Sequence, residues 1–443
     1  MIFRALEDAV HQLQLATANL SRQLEQDDAQ QGTVNGYKRS SVAGSSKLPE
    51  EPQISQAARN DILDAASKIQ QLLATPYDFQ RQLATSNQLL SCIRWLCYFK
   101  VPDFIPEGAA VLFTDLADKT RLPELVLTRI CAMASTSGFF CCAGPKRVEH
   151  TSISLGYRSP APLLDTMLFL TETGMPSAYK MVEMTTQSNA NESVDDSRTA
   201  FQIAHDTDLG FFPYLSKHPH VAKRLASGMK DHSTAAESHL DHLMDGVDWE
   251  RIGDAHVVDI GGSTGHASIA LAKTFPNLTF TVQDLPHVIA QASKQQLDPS
   301  IADRVRFEAH SFFEPQPASS SQADIFLFRQ CIQNHPHENA VKIIQALVPS
   351  LTRTDSILIL NNIVLPALGD NTTGLNEQAA VRVRDLFMMQ AMGGQERDLE
   401  QWKQLLQDAD PRLRIVGVQK PAGSILSVIE VRLFVGENGL ADL

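Results

Sequence analysis

What this 443-residue chain has little of closes several routes at once. Basic residues are the minority: 38 Lys and Arg stand against 51 Asp and Glu, a formal charge of −13. With no dense basic block to offset that balance, nucleic acid is excluded as the main partner. No apolar run reaches the length of a membrane span, and the first residues lack a signal-peptide pattern. A soluble, cytoplasmic protein with no membrane partner is expected. The six cysteines (Cys92, Cys97, Cys131, Cys141, Cys142 and Cys331) lie mostly in apolar surroundings, and no C-x-x-C occurs. Neither a disulfide frame nor a metal site is indicated. The dinucleotide fingerprint G-x-G-x-x-G is missing too.

What is present is organised around His256–Leu285, HVVDIGGSTGHASIALAKTFPNLTFTVQDL. Its first apolar run, His256–Ile260, has the length of a buried parallel strand. Gly261-Gly262-Ser263-Thr264-Gly265 follows and leads into an apolar-periodic helix, His266–Thr274. A second strand, Thr279–Val282, leads to Asp284, twenty-two residues after Gly262. Strand, glycine turn, helix, strand, acid is a recipe for holding a nucleoside. The glycines let the backbone approach the ligand, and the acid accepts hydrogen bonds from both ribose hydroxyls. Further strands are expected at Arg304–Glu308, Ile325–Phe328 and Ser356–Ile363. Arg414–Val418 and Ile425–Phe434 read as a closing hairpin that turns at Pro421-Ala422-Gly423. Strands and helices alternate from Ile252 onward, the pattern of an α/β fold with a parallel sheet.

The earlier part of the chain reads as helical. Leu6, Val10, Leu13, Leu20 and Leu24 recur on a 4-3 spacing, interrupted by Thr17, which predicts a short helix packing on its own subunit or on a partner. Glu25–Gln56, rich in Gly, Ser, Asp, Gln and Pro, reads as a flexible linker, so residues 1–56 form a helix and a tether. Over 57–160, Ile62, Ala66, Ile69, Leu72 and Leu73 make one helix face and Leu89–Phe99 another. Leu116–Lys119, Leu122–Ser135 and a β-like tail, Phe139–Leu155, then give helix, turn, helix, wing. That order reads DNA in some proteins, but Arg121, Arg129, Lys146 and Arg147 are too few and scattered to follow phosphates. Residues 161–443 carry the α/β part, which opens with a helical stretch over 161–245.

The loop Asp259-x-Gly261-x-Ser263-x-Gly265 resembles the acid-x-G-x-G-x-G loop of class I S-adenosylmethionine (SAM) methyltransferases, with Ser263 at the middle glycine. Through the last three quarters of the chain the sequence is similar to the fungal O-methyltransferases of secondary metabolism, a branch like the plant caffeate and flavonoid enzymes. The resemblance implies a seven-stranded Rossmann-like sheet, a winged-helix N-terminal region that serves homodimerisation, and SAM as cofactor. It assigns cofactor contacts to Asp259, Gly261, Gly262 and Gly265. It gives the ribose to Asp284, the adenine flank to Leu285, and the methionine carboxylate to Arg329. Ser311-Phe312 falls where the family has an aspartate for the adenine amine. Phe211 and Phe212, in the stretch Thr207–Phe212, and the adaptable Met388, Met389 and Met392 are expected at the substrate, with core packing the competing role for each. His150-Thr151 matches a family pair on the wing, which is expected to face the substrate cavity, with a satisfied structural histidine the equal alternative.

Methylating a phenol requires a base for its proton, and a histidine steered by a carboxylate suits that task. In the family a His-Asp pair follows the fourth strand. Register taken from Arg329, Pro336 and Glu338 puts Gln333-Asn334 on that pair, and neither amide is a base. The acid expected before Ile363-Val364-Leu365-Pro366 is Asn362; only Glu396, in Gly394-Gln395-Glu396-Arg397, remains of the polar set. With the cofactor loop kept and the base removed, the resemblance narrows to the family's pericyclases of 2-pyridone alkaloid biosynthesis. These dehydrate an alcohol to a quinone methide and steer its ring closure, with SAM as a bound cation. Gln333 and Asn334 would then stabilise developing charge, and His150 or His337 would move the proton. The substrate is expected to be a polyketide- or alkaloid-type small molecule. The alternatives are an active O-methyltransferase whose base has moved to His335 or His337, and a SAM-binding protein without catalysis.

Overall fold

The structure, a computed structural model, describes residues 2–30, 56–187, 198–234, 236–352, 356–370 and 372–434. Contacts divide the chain into two compact units.

The first unit holds α1 (Ile2–Gln30), α2 (Gln56–Leu73), the start of α3 (Pro76–Tyr98) and residues 366–382. Helix α1 runs six residues into the stretch expected to be linker, because Glu, Gln and Ala sustain a helix as readily as they populate a tether. The rest of that expected linker, 31–55, lies outside the described residues. The α1–α2 seam is lined by alanine: Ala9 and Ala16 on one helix and Ala58 and Ala65 on the other are buried. Each pair is seven residues apart, so one stripe of each helix lets the backbones close up. Of the face expected on α1, Leu6, Leu13 and Leu20 are only half-covered and Val10 is exposed, while the Leu24 side chain lies outside the described ones. Asp64 of α2 accepts hydrogen bonds from the backbone N–H and side-chain amide of Asn376, at 2.8 and 2.7 Å.

The second unit begins with a helical block and a small sheet. Helices α4 (Phe113–Thr120) and α5 (Glu124–Ser135) surround a core of Leu96, Leu116, Leu127, Phe140 and Val148 with three short antiparallel strands. These are β1 (Val111–Leu112), β2 (Phe140–Cys141) and β3 (Arg147–His150), in the order β1-β3-β2. The tail beyond His150 is a helical turn, Ser152–Leu155, rather than strand. Thr151 and Ser154 form a reciprocal capping box there, which overrides the strand-like alternation of Ile153 and Leu155. Helices then fill the described residues from Pro162 to Asp245.

The seven-stranded sheet follows, built from β4 (His256–Ile260), β5 (Thr279–Asp284), β6 (Val305–Ala309), β7 (Ile325–Arg329) and β8 (Ile357–Asn362), closed by β11 (Leu413–Gln419) and β12 (Ser427–Leu433). A separate two-stranded pair joins β9 (Val364–Leu365) to β10 (Arg397–Asp398). The large sheet runs β11-β12-β8-β7-β4-β5-β6, and only β12 is antiparallel to its neighbours. Alternate side chains of β7 serve opposite faces. Phe326 and Phe328 join Trp402 and Leu405 on one side, while Leu327 joins Trp249 and Leu271 on the other. The chain winds outward from β4 to β6, then returns through β7 on β4's other flank. That reversal opens a crevice at the carboxyl ends of β4 and β7, where ligands of open α/β sheets bind. No described helix is long and apolar enough to cross a membrane.

Candidate functional site

Four loops at the carboxyl edge of the sheet carry the expected cofactor residues. After β4, the N–H groups of Gly261 and Gly262 both bond the Gln283 carbonyl of β5, at 2.8 and 3.0 Å. Gly261, Ser263 and Gly265 all have positive φ, at 70°, 54° and 77°. Ser263 thus adopts the left-handed conformation that a glycine there takes without strain. A side chain on Gly262 would meet the Asp259 carboxylate at 2.6 Å, and one on Gly261 would meet the Cys331 sulfur at 2.9 Å. Asp259 is only 2 % exposed, bonds the Ser268 hydroxyl at 2.7 Å, and is pushed up to about 6 by burial.

At the end of β5, one Asp284 oxygen accepts from the Ser263 N–H at 2.9 Å and the other from the Leu285 N–H at 2.7 Å. The aspartate therefore braces the glycine loop while its remaining lone pairs stay open to ribose hydroxyls. Leu285 is 47 % exposed, as an adenine-flanking side chain has to be. After β6, the Ser311 hydroxyl accepts the Phe313 N–H, and Phe312 packs on the core edge beside Gly261. Arg329, at the end of β7, donates to the Ser238 carbonyl and contacts His266, both at 3.3 Å. Burial and Arg329 push His266 down to about 4, so its ring is neutral and accepts that contact. The Arg329 Nε is buried without a partner among the described residues. A braced acid, a glycine floor and a half-buried guanidinium whose Nε–H is unpartnered among the described residues fit the ribose, backbone approach and carboxylate of SAM.

The expected dyad position lies on the turn after β7. Cys331, which sequence reasoning did not single out, ties this turn to the glycine loop through contacts of 3.6 Å to the Ile260 and Gly261 carbonyls. Burial pushes its thiol up to about 12, so it is a structural contact rather than a nucleophile. Two residues on, the side-chain oxygen of Gln333 accepts a hydrogen bond from the Asn362 amide at 2.7 Å. Gln333 and Asn362, at which the sequence register leads one to expect amides in place of a base and an acid, form a neutral amide pair. Asn334 is half-buried, its backbone N–H on the Cys331 carbonyl.

The turn Gly393–Arg397 closes over Gln333. The Gln395 N–H donates to the Gln333 carbonyl at 2.9 Å, and a side chain on Gly394 would fall 2.1 Å from that oxygen. Glu396 is 2 % exposed, and neither of its oxygens has a hydrogen-bond donor among the described residues. Burial pushes it up to about 7 against the pull of Arg384, whose Nε lies 3.8 Å away. Arg384 in turn donates to the Gln330 side chain at 2.9 Å. Nothing in the sequence pattern marks Arg384 or Gln330, whose left-handed φ of 53° is visible only in the fold.

The histidines expected to handle protons are engaged elsewhere. His150 faces the Pro102 and Ile105 carbonyls with Nε2 and the Ser154 hydroxyl with Nδ1, so both ring nitrogens serve the small-sheet block. His337 bonds Asp408 of the helix Leu399–Ala409 at 2.8 Å. His335 lies edge-on to Phe312 and Phe313. Of the expected substrate residues, Phe211 is buried against Phe201, Phe169 and Phe387, and Phe212 is 52 % exposed. Met388 is buried and Met389 and Met392 half-buried, on the last turns of the helix Leu375–Met392 that runs into Gly393-Gly394. Among the described residues no cluster could hold a metal ion.

Comparison with known proteins accords with this geometry. Residues 188–410 match the model of the O-methyltransferase domain. The chain is similar to O-methyltransferase VdtC of Byssochlamys spectabilis, 39 % identical over 396 residues that cover 88 % of this chain and 90 % of that one. It is 34 % identical to O-methyltransferase bik3 of Gibberella fujikuroi over 414 residues, 90 % of each. In fold it resembles OxaC, at TM-score 0.73, 22 % identity and 98 % and 100 % coverage. It also resembles LepI in complex with SAM, at TM-score 0.71, 22 % identity and 94 % and 99 % coverage. The chain belongs to the O-methyltransferase family, and SAM is its cofactor.

Proposed function

We propose that this protein is a fungal secondary-metabolism enzyme that methylates a hydroxyl group of an aromatic, polyketide-type small molecule, acting in the cytoplasm as a homodimer. The observation that carries the reading is the end-to-end similarity to an O-methyltransferase, with 39 % identity over nine-tenths of both chains. Bound SAM supplies a methyl group on a sulfonium. The chain's own part is to hold and orient. Asp284 takes the ribose, Leu285 the adenine face, and Arg329 the carboxylate. Phe211, Phe212, Met388, Met389 and Met392 give an apolar, adaptable wall for an aromatic ring. The turn carrying Gln333 and Asn334 meets the substrate oxygen, linked to the glycine floor through Cys331. Six free cysteines agree with a reducing compartment.

A second reading, a pericyclase or dehydratase that steers closure of a quinone methide, draws support from one observation. Gln333 and Asn362 are hydrogen-bonded to each other as neutral amides, and the sequence register assigns Gln333 to the place of a base that phenol methylation needs and a ring closure does not. The two readings part on mass. Incubated with SAM and phenolic polyketides, the protein is expected to yield products heavier by one methyl, with S-adenosylhomocysteine formed in step. Loss of water or an isomer, without S-adenosylhomocysteine, replaces methyl transfer by the second reading.

A further inference from the structure

The orientation of the Gln333 side chain is dictated from outside it. The Gln330 backbone N–H lies 3.0 Å from one terminal atom of the Asn362 amide. A backbone N–H only donates, so that atom is the oxygen, and the other end of Asn362 is its NH2. That NH2 lies 2.7 Å from Gln333, whose contacting atom is therefore oxygen. The Gln333 NH2 is left as the outward end of the relay, with no partner among the described residues. Where a proton acceptor is expected, the fold presents a hydrogen-bond donor.

The surrounding charges point the same way. Arg397 packs on this turn, donating to the His335 carbonyl at 3.4 Å, and Arg384 donates to Gln330. Against these two cations stand Asp385, which accepts the Glu396 N–H at 2.9 Å, and Glu396 itself, which burial holds near neutrality. His335 is turned to Phe312 and Phe313. Both carboxylate oxygens of Glu396 are fully closed off, whereas the Gln333 NH2 is not, so the amide and not the acid faces an incoming oxygen. The oxygen of a neutral hydroxyl can accept from that NH2, but its own proton meets an amide donor rather than a base; an oxyanion accepts with no proton left to place.

We infer that the substrate is an acidic hydroxyl, a phenol or enol conjugated to a carbonyl, and that it binds already ionised with its oxygen accepting from the Gln333 NH2. The inference rests on the methyl-transfer reading. The proton leaves to water before binding. The oxyanion's lone pair then forms the new O–C bond as the C–S bond breaks, its electrons staying on sulfur. Gln333 holds the oxygen in place and lets go of charge as methylation neutralises it.

The test uses nitronaphthols and ring-substituted 2-hydroxyacetophenones, whose hydroxyls differ in acidity, with the full chain. With SAM, the pH at which kcat/KM rises is expected to follow each substrate's own ionisation rather than a fixed enzyme value. With S-adenosylhomocysteine in place of SAM, a bound nitronaphthol, read by the visible absorbance of its anion, is expected to ionise about tenfold more readily than in solution. Asn362→Asp places an acceptor at both ends of the relay and forces Gln333 to turn its NH2 inward. It should reverse the absorbance shift and lower kcat/KM about a hundredfold, the usual scale for one lost oxyanion donor, while SAM affinity is unchanged. Gln333→Met, which has no donor, should do the same. A pH profile fixed across substrates, or a bound naphthol that ionises no more readily than the free one, overturns the inference and leaves methyl transfer standing. If no substrate gains a methyl at any pH, it is the methyl-transfer reading that falls, and the absorbance measurement still decides what Gln333 presents.

Discussion

Glu396 is a carboxyl group held where a carboxylate is costly. Its value rises from 4.5 to about 7, first through burial and further through Asp385, against the attraction of Arg384 and Arg397. Because the folded state prefers the neutral form, it binds more protons than the unfolded chain between those two values. Stability from this group therefore falls as pH rises through that window, and the full cost persists above it. Glu396→Gln removes the ionisation, so the variant should match wild type below the window and exceed it above, by up to about 3 kcal/mol. Denaturant unfolding at a pH on each side of the window measures this; an equal difference at both would mean that Glu396 is not held neutral. The sequence motif located Glu396, but not its burial. Likewise Gln333 and Asn362 were both noted in the sequence as replacements for titrating residues. Their hydrogen bond joins positions 29 residues apart that meet only because β7 and β8 are neighbours.

At the scale of elements, the strands were legible because each is a short run of β-branched and aromatic residues with nowhere to go but a buried sheet. β4 lies where expected, and the other ends shift by one or two residues. β5 runs on to Asp284 itself, since its ladder to β6 extends to the Asp284–Ala309 pair. The helical turn after His150 was not legible: polar capping by Thr151 and Ser154 competes with an alternating pattern that reads as strand. The junction of β4, glycine loop and β5 yields a prediction. Asp284 fastens the Ser263 N–H of a loop whose serine sits at positive φ, in addition to the ribose role proposed for it. Asp284→Ala should weaken SAM and S-adenosylhomocysteine alike by about 1–3 kcal/mol, since charge-assisted hydrogen bonds are lost on both sides. Titration calorimetry reads both ligands. Unchanged affinity for either would remove Asp284 from the ribose.

For the whole molecule, the sheet's reversal between β4 and β7 brings loops from distant parts of the sequence to one edge, and alternation of strands and helices was enough to foresee that edge. What the alternation says nothing about is the surface. Large exposed apolar side chains gather in the first part of the chain: Tyr77 and Leu125 are 72 % and 71 % exposed, with Phe79, Leu83, Tyr98 and Val182 also uncovered. The sheet strands instead keep their apolar side chains in the core, apart from Val416 and Val418 on the edge strand β11. A lone chain in water pays for such surface in free energy, and a two-fold pair of identical chains covers each apolar side chain at its seam twice with one self-complementary contact. The homodimer proposed above should therefore appear in light scattering at micromolar concentration as twice the chain's 48.8 kDa. Charges at the exposed positions, Tyr77→Glu with Leu125→Glu, should shift the mass toward one chain. SAM affinity should hold, because neither side chain belongs to the loops at the sheet's carboxyl edge. A wild-type protein of single-chain mass across that concentration range would rule the dimer out and leave the apolar surface to another occupant.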